Sequence, residues 1–115
     1  MVKVEAVVVR DRVEAVMDAV EAATGHVGVT VLEAVGHGRQ PGITHEYRGR
    51  VFESRFLPKA LLVFVADDEL AEAIVDTVVE TARTGHESGD GIVWASPVYD
   101  VRHNRTGRAL EEVEA

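Results

Sequence analysis

The chain has 115 residues, enough for one domain that buries its own core without metal or disulfide staples and too few for two. It contains no cysteine, which excludes a disulfide framework, a thiolate zinc site and a cysteine nucleophile. Twenty Asp and Glu against twelve Lys and Arg give a formal charge of −8, a field that repels phosphate backbones and disfavours nucleic acid as a partner.

The amino terminus, "MVKVEAVVVRD", carries charges at Lys3 and Glu5 and lacks the apolar core of a signal peptide. No run approaches the roughly 18 apolar residues of a membrane span, so a soluble cytoplasmic protein is the expectation. Residues 2–9 begin with apolar and polar alternation and end in valines, which predicts a largely buried strand. Asp11 is then a candidate N-cap, Val13, Val16, Val20 and Ala23 recur at helical spacing, and Gly25 supplies a stop. Residues 27–35 and 56–66, rich in β-branched and apolar side chains, predict two further strands. They bracket a connection of about 20 residues, and structureless connections beyond about 12 to 15 are usually functional or disordered.

"DDELAEAIVDTVVETARTG", 67–85, predicts a second helix. Asp67 and Asp68 are its candidate caps, Leu70, Ile74, Val78 and Ala82 its buried stripe, and Gly85 its end. "GIVWASPVYDV", 91–101, is the fourth strand, with Pro97 marking an edge, a bulge or an end. The polar tail, about 102–115, either closes with a short helix or stays mobile. The order βαββαβ predicts an α+β domain spanning 1–115, with a four-stranded antiparallel sheet and both helices on one face. The strands carry apolar residues on both parities, so the helix-free face should be apolar as well, and oligomerisation is the simplest cover for it.

Residues 36–59, "GHGRQPGITHEYRGRVFESRFLPK", hold five basic residues and two glutamates, a basic island in an acidic chain. With "VTVLEAVGHGRQPG", "EYRG", "FLPK", "DDEL", "ARTG", "GDG" and "RTG" in order, the chain resembles the PII signal-transduction proteins, or nitrogen regulatory protein P-II family, along almost its whole length. The resemblance implies a homotrimer of ferredoxin-like subunits without catalytic turnover. A long T-loop, here about 37–55, would dock onto a transporter, enzyme or regulator, so that membrane contact comes only through a transporter partner. ATP or ADP would bind between subunits, and 2-oxoglutarate with Mg and ATP at the loop base.

Residue by residue, the resemblance assigns Thr30 to the adenine pocket. Gly38, Arg39, Gln40 and Gly42 fall at the loop base against phosphates and oxoacid, with Gln40 also coordinating Mg. Lys59 pairs with the distal carboxylate of 2-oxoglutarate, Gly89, Asp90 and Gly91 form the phosphate turn, and Arg105 binds phosphate. The chemistry suits these residue types, since glycine lets backbone N–H groups approach anions and lysine is a compact positive charge. Without the resemblance, the plainer reading of Gly38 and Gly42 is turn residues, and of Lys59 a solvated charge.

Four departures qualify this reading. Ile92 replaces a phosphate-contacting lysine after "GDG". His103 replaces the first arginine of the family's Arg-x-Arg-Thr-Gly run. One extra residue stands in "HES", with His86 where a basic lysine is common. Charge-assisted hydrogen bonds contribute roughly 1.5 to 3 kcal/mol each, so weak or altered nucleotide binding is expected, with Arg102 and Arg108 the candidates to compensate. In the T-loop, Phe52 stands at the usual nucleotidylated tyrosine and Arg50 at a serine phosphorylated in other branches, so neither modification is expected; Tyr47 reads as a packing aromatic.

The alternatives are a scaffold with a degenerate nucleotide site that binds partners constitutively, and a metal-binding trimer. For the latter, His26, His37, His45, His86 and His103 form no tight ligand pair and read as packing or solvated residues. Ser54 or Ser88 can be combined on paper with His and Asp partners, but nothing fixes a triad. Trp94 reads as a packing residue at the sheet or trimer core.

Overall fold

The computed structural model describes residues 1–38, 43–47, 50–54, 56–86 and 89–111, with the backbone alone for 43–47 and 50–54. Strand β1 (Val2–Val9) alternates strictly, its even residues buried and its odd ones half-buried. It leads through one 3-10 turn (Arg10–Arg12) into helix α1 (Val13–Thr24). Strand β2 (Thr30–Gly36) follows, then β3 (Ile43–Tyr47), β4 (Arg50–Ser54) and β5 (Leu57–Ala66). A 3-10 turn (Asp68–Leu70), helix α2 (Ala71–Thr81) and strand β6 (Ile92–Pro97) complete the order.

The main sheet runs β2-β5-β1-β6, every neighbouring pair antiparallel, which is the ferredoxin-like βαββαβ arrangement. Val4, Ala6 and Val8 of β1 and Ala60, Leu62 and Phe64 of β5 close a core with Val16 and Val20 of α1 and Ile74 and Val78 of α2. Burying each large apolar side chain contributes about 1.5–3 kcal/mol, so the shared even face of β1 and β5 is what fixes the register. A shift by one residue would turn Lys3, Glu5 and Lys59 toward the helices.

On the helix-free face, rows of paired residues cross the sheet: Leu32, Leu61, Val7 and Ile92 in one, Thr30, Val63, Glu5 and Trp94 in the next. Leu32 is 47% and Ile92 68% exposed, so this face is as apolar as the sequence predicts. Glu5 ties its polar part together, accepting from Trp94 Nε1 at 3.2 Å and pairing with Lys3 Nζ at 3.1 Å.

Several local expectations need correcting. Asp11 is not the cap of α1: the cap position is Arg12, without a side-chain cap bond, because a 3-10 turn intervenes and takes Asp11 inside it. Asp67 precedes the second 3-10 turn without a side-chain cap bond, and Asp68 instead pairs with the amino terminus at 3.4 Å. Ala23 is exposed, because the buried stripe of α1 runs through Val13, Val16, Met17 and Val20. Gly25, at φ +77°, does end the helix, its N–H bonded to Glu21 O at 2.8 Å. Helix α2 stops at Thr81, leaving 82–85 to begin the next turn. The connection between β2 and β5 is not structureless, since β3 and β4 pair within it as an antiparallel hairpin.

The fourth strand ends at Pro97 on the sheet edge rather than at 101. The tail is neither helical nor loose through residue 110. Arg102 bridges Ala109, Leu110 N–H bonds to Val101 O at 2.9 Å and His103 N–H to Arg108 O at 2.9 Å, folding the tail back on itself.

Candidate functional site

The end of β1, the start of β5, the end of β2 and the turn before β6 meet at one end of the sheet. Antiparallel pairing makes this so: Val9 faces Lys59, Lys59 faces Ala34, and Gly36 faces Leu57. Lys59, on the helix-free side, is only 7% exposed, so it is not the solvated charge of the plainer reading. Its stem lies against the bare backbone of Gly36, where a Cβ would come within 2.8 Å of Lys59 Cγ. Its Nζ donates to the carbonyl of Gly89. A buried ammonium is tolerated only where acceptors replace its water, and Gly89 supplies one.

The turn carrying Gly89, Asp90 and Gly91 is held from both sides. Thr84 Oγ1 donates to Asp90 Oδ1 at 2.5 Å, closing the segment that holds the extra residue. This hydroxyl is the main reason the Asp90 carboxyl lies below its ordinary range. The Thr84 backbone and the positive charges of His86 and Lys59 act the same way, and partial burial opposes them. Gly91, at φ +92°, passes so close to β1 that a Cβ would sit 1.8 Å from Val7 O. No other residue fits there.

Beside this turn lies a polar cavity of about 440 Å³ lined by Val9, Asp11, Arg12, Thr84, His86 and Gly89. Arg12 and His86 give it donors, and Asp11 an acceptor. Ile92 lines a smaller, mainly apolar pocket of about 180 Å³ with Val7, Val79, Ala82 and Gly91. No cation is presented from position 92. Arg105, His103, Thr106 and Arg108 line a separate cleft of about 240 Å³, whereas Arg102 is engaged with Asp100 at 2.6 Å.

The family model for nitrogen regulatory protein P-II matches residues 1–108. The chain belongs to the nitrogen regulatory protein P-II family. It is 41% identical to nitrogen regulatory protein P-II 2 of Methanothermobacter thermautotrophicus over 95% of this chain and 93% of that one. It is 43% identical to nitrogen regulatory protein P-II of Nostoc punctiforme over 97% and 98% of the two chains, and 38% to that of Cereibacter sphaeroides over the same shares. Membership carries a regulatory, signal-transducing role.

In this P-II family member, Lys59, Gly89, Asp90 and Gly91 come together, with Gly38 two residues beyond the glycine that receives the Lys59 stem. Arg39, Gln40 and Gly42 lie outside the described residues, as does Ser88, and the Phe52 side chain is likewise not described. Thr30 does not join the group. It starts β2, six residues from Gly36, about 20 Å along an extended strand. Arg105 is in the cleft of the tail, which leaves the sheet from β6, the edge opposite β2.

The residues missed in the sequence are Arg10, Arg12 and Thr84. Arg10 Nη2 donates to Ala34 O at 2.8 Å and to Lys59 O at 3.2 Å, and its Nε to Lys59 O at 3.2 Å. The available signal was topological: in a βαββαβ sheet the residues just after strand 1 lie beside the start of the third core strand, so "RDR" had to fall next to "FLPK".

Proposed function

We propose that this chain is an effector-sensing adaptor. An adenine nucleotide, with 2-oxoglutarate and Mg as further ligands, binds between the subunits of a homotrimer and biases the segment 37–55 between conformations of different affinity for a protein target. No turnover is involved. The observation that carries this reading is the bond from Lys59 Nζ to Gly89 O, which joins the expected oxoacid lysine to the expected phosphate turn.

The chemistry follows from the residues present. Gly89 and Gly91, at φ +89° and +92°, hold a backbone conformation that lets a turn approach an anion closely. Lys59, already desolvated, offers its charge to a carboxylate at little further cost once Gly89 O is released. When bound, Mg would neutralise phosphate and oxoacid oxygens together. Thr30 and Arg105 stand toward opposite edges of the sheet, and a nucleotide reached by both is most simply one shared between two copies. The loop response is a population shift, limited by the effector's differential affinity for the two loop states. With Ile92 and His103 in place of two cations, the nucleotide is held weakly.

Thermal shift with ATP, ADP, AMP and cyclic AMP, each with and without Mg and 2-oxoglutarate, tests the proposal. Ligand at 100 times its Kd stabilises by about 2.7 kcal/mol, so even a weak effector raises Tm at millimolar concentration. A Tm indifferent to every combination favours the second reading, a constitutive scaffold, to which the absence of a cation at Ile92 lends support.

A further inference from the structure

We infer that Arg10 is the positioning residue of the loop base, fixing where Lys59 presents its ammonium by holding the carbonyls of Ala34 and Lys59. The inference rests on the reading of Lys59 as the effector-binding lysine and extends it to the residue that holds the Lys59 backbone.

Ala34 and Lys59 are a cross-strand pair, and Val9, the last residue of β1, is the other partner of Lys59. At the point where the β1 ladder ends, the chain enters a 3-10 turn, and the Arg10 guanidinium takes the place of the next strand residue. It makes three contacts, two to Lys59 O and one to Ala34 O. The guanidinium is a planar fork whose donors have fixed relative directions, so bridging two carbonyls fixes their separation. One lysine ammonium has no such fork.

Fixing the Lys59 carbonyl fixes the direction in which its side chain leaves the strand. From there the stem has one course, along the backbone of Gly36, and Nζ arrives at Gly89 O. Arg10 thus holds one end of the Lys59 residue and Gly89 the other. The same guanidinium joins β2 to β5 immediately before both strands hand over to the segment 37–55.

The chain has only two lysines, Lys3 and Lys59, so amine acylation read by peptide mass spectrometry follows Lys59 with Lys3 as internal control. In the wild type, Lys59 is expected to acylate slowly, because its stem packs on Gly36 and its Nζ is held by Gly89 O. Arg10→Gln is expected to raise the Lys59 rate fivefold or more and leave Lys3 unchanged, and Arg10→Lys to raise it about threefold. Trp94 fluorescence reports that the fold is kept. A folded Arg10→Gln protein whose Lys59 rate stays within twofold of wild type overturns the inference. Should Arg10→Gln not fold, the same limit applied to Arg10→Lys decides it. The readout needs no effector, so failure of the proposed function shows separately, as wild-type protein that ignores nucleotide and 2-oxoglutarate while Lys59 still responds to Arg10.

Discussion

The ammonium of Lys59 donates to the carbonyl of Gly89, thirty residues further along the chain, and thereby links the start of β5 to the turn before β6. Lys59→Met keeps the apolar stem against Gly36 and removes the donor. A half-buried carbonyl left unsatisfied costs up to about 1–3 kcal/mol, partly offset because no cation is then desolvated. We expect a net loss of about 1 kcal/mol by urea denaturation, with faster amide exchange at Gly89 and Gly91. Unchanged exchange there would mean that the link does not hold the turn.

Gly91 and Gly38 make a contrast within the same candidate site. A Cβ at Gly91 meets Val7 O at 1.8 Å in a backbone conformation that side chains rarely adopt, whereas at Gly38 nothing lies within 4 Å. Gly91→Ala must push β6 away from β1, and steric insertion into a packed site costs about 1–3 kcal/mol before the backbone strain is added. We expect Gly91→Ala to lower stability by about 3 kcal/mol or more and Gly38→Ala to leave Tm within a degree or two. Equal effects in thermal denaturation would contradict the placement of the turn on β1.

The core and the topology were legible because their signals are local and repetitive. Alternation in β1 and the stripe Ile74, Val78 and Ala82 each report one buried face. The hairpin β3–β4 was not legible: "ITHEY" and "RVFES" contain strand formers, but charges and flanking glycines interrupt them. A two-stranded ribbon also has too little core to impose a clean alternation. The burial of Lys59 was hidden for another reason. It depends on Gly36 and Gly89, which only folding brings to it, and a lysine after a proline at a strand start carries no local sign of it. The family resemblance reached Lys59, Gly89 and Gly91 by position, but gave no reason to single out Arg10, whose role is made entirely of backbone contacts.

Asp90 gives the turn a pH dependence whose sign is fixed by its partners. Its carboxyl is held below the ordinary range, chiefly by the Thr84 hydroxyl, so its contribution to stability is complete above the unfolded value of about 3.9. That contribution is lost as pH falls through the folded pKa. Thr84→Val removes the hydroxyl and should raise the Asp90 pKa toward the ordinary value. It should be less stable than wild type at pH 7, and this deficit should shrink once the carboxyl is protonated. The side-chain carboxyl carbon shift of Asp90, followed by NMR titration, checks this directly. The same midpoint in both proteins would remove Thr84 as the cause.

Ile92 and His103 are the positions from which the proposed nucleotide site can be strengthened. Ile92 is 68% exposed beside Gly91, so a lysine there needs no space in the core and places an ammonium next to the turn. His103 shares its cleft with Arg105 and Arg108, so an arginine there would put a third guanidinium into that cleft. A charge-assisted hydrogen bond contributes about 1.5–3 kcal/mol, or roughly 10- to 150-fold in affinity. Calorimetric titration with ATP should therefore show at least a tenfold gain for Ile92→Lys. His103→Arg should gain similarly, because a guanidinium offers a bidentate fork to phosphate that an imidazole lacks. Micromolar affinity in the wild type would show that other groups, with Arg108 and Arg12 the first to test, already supply the missing charge.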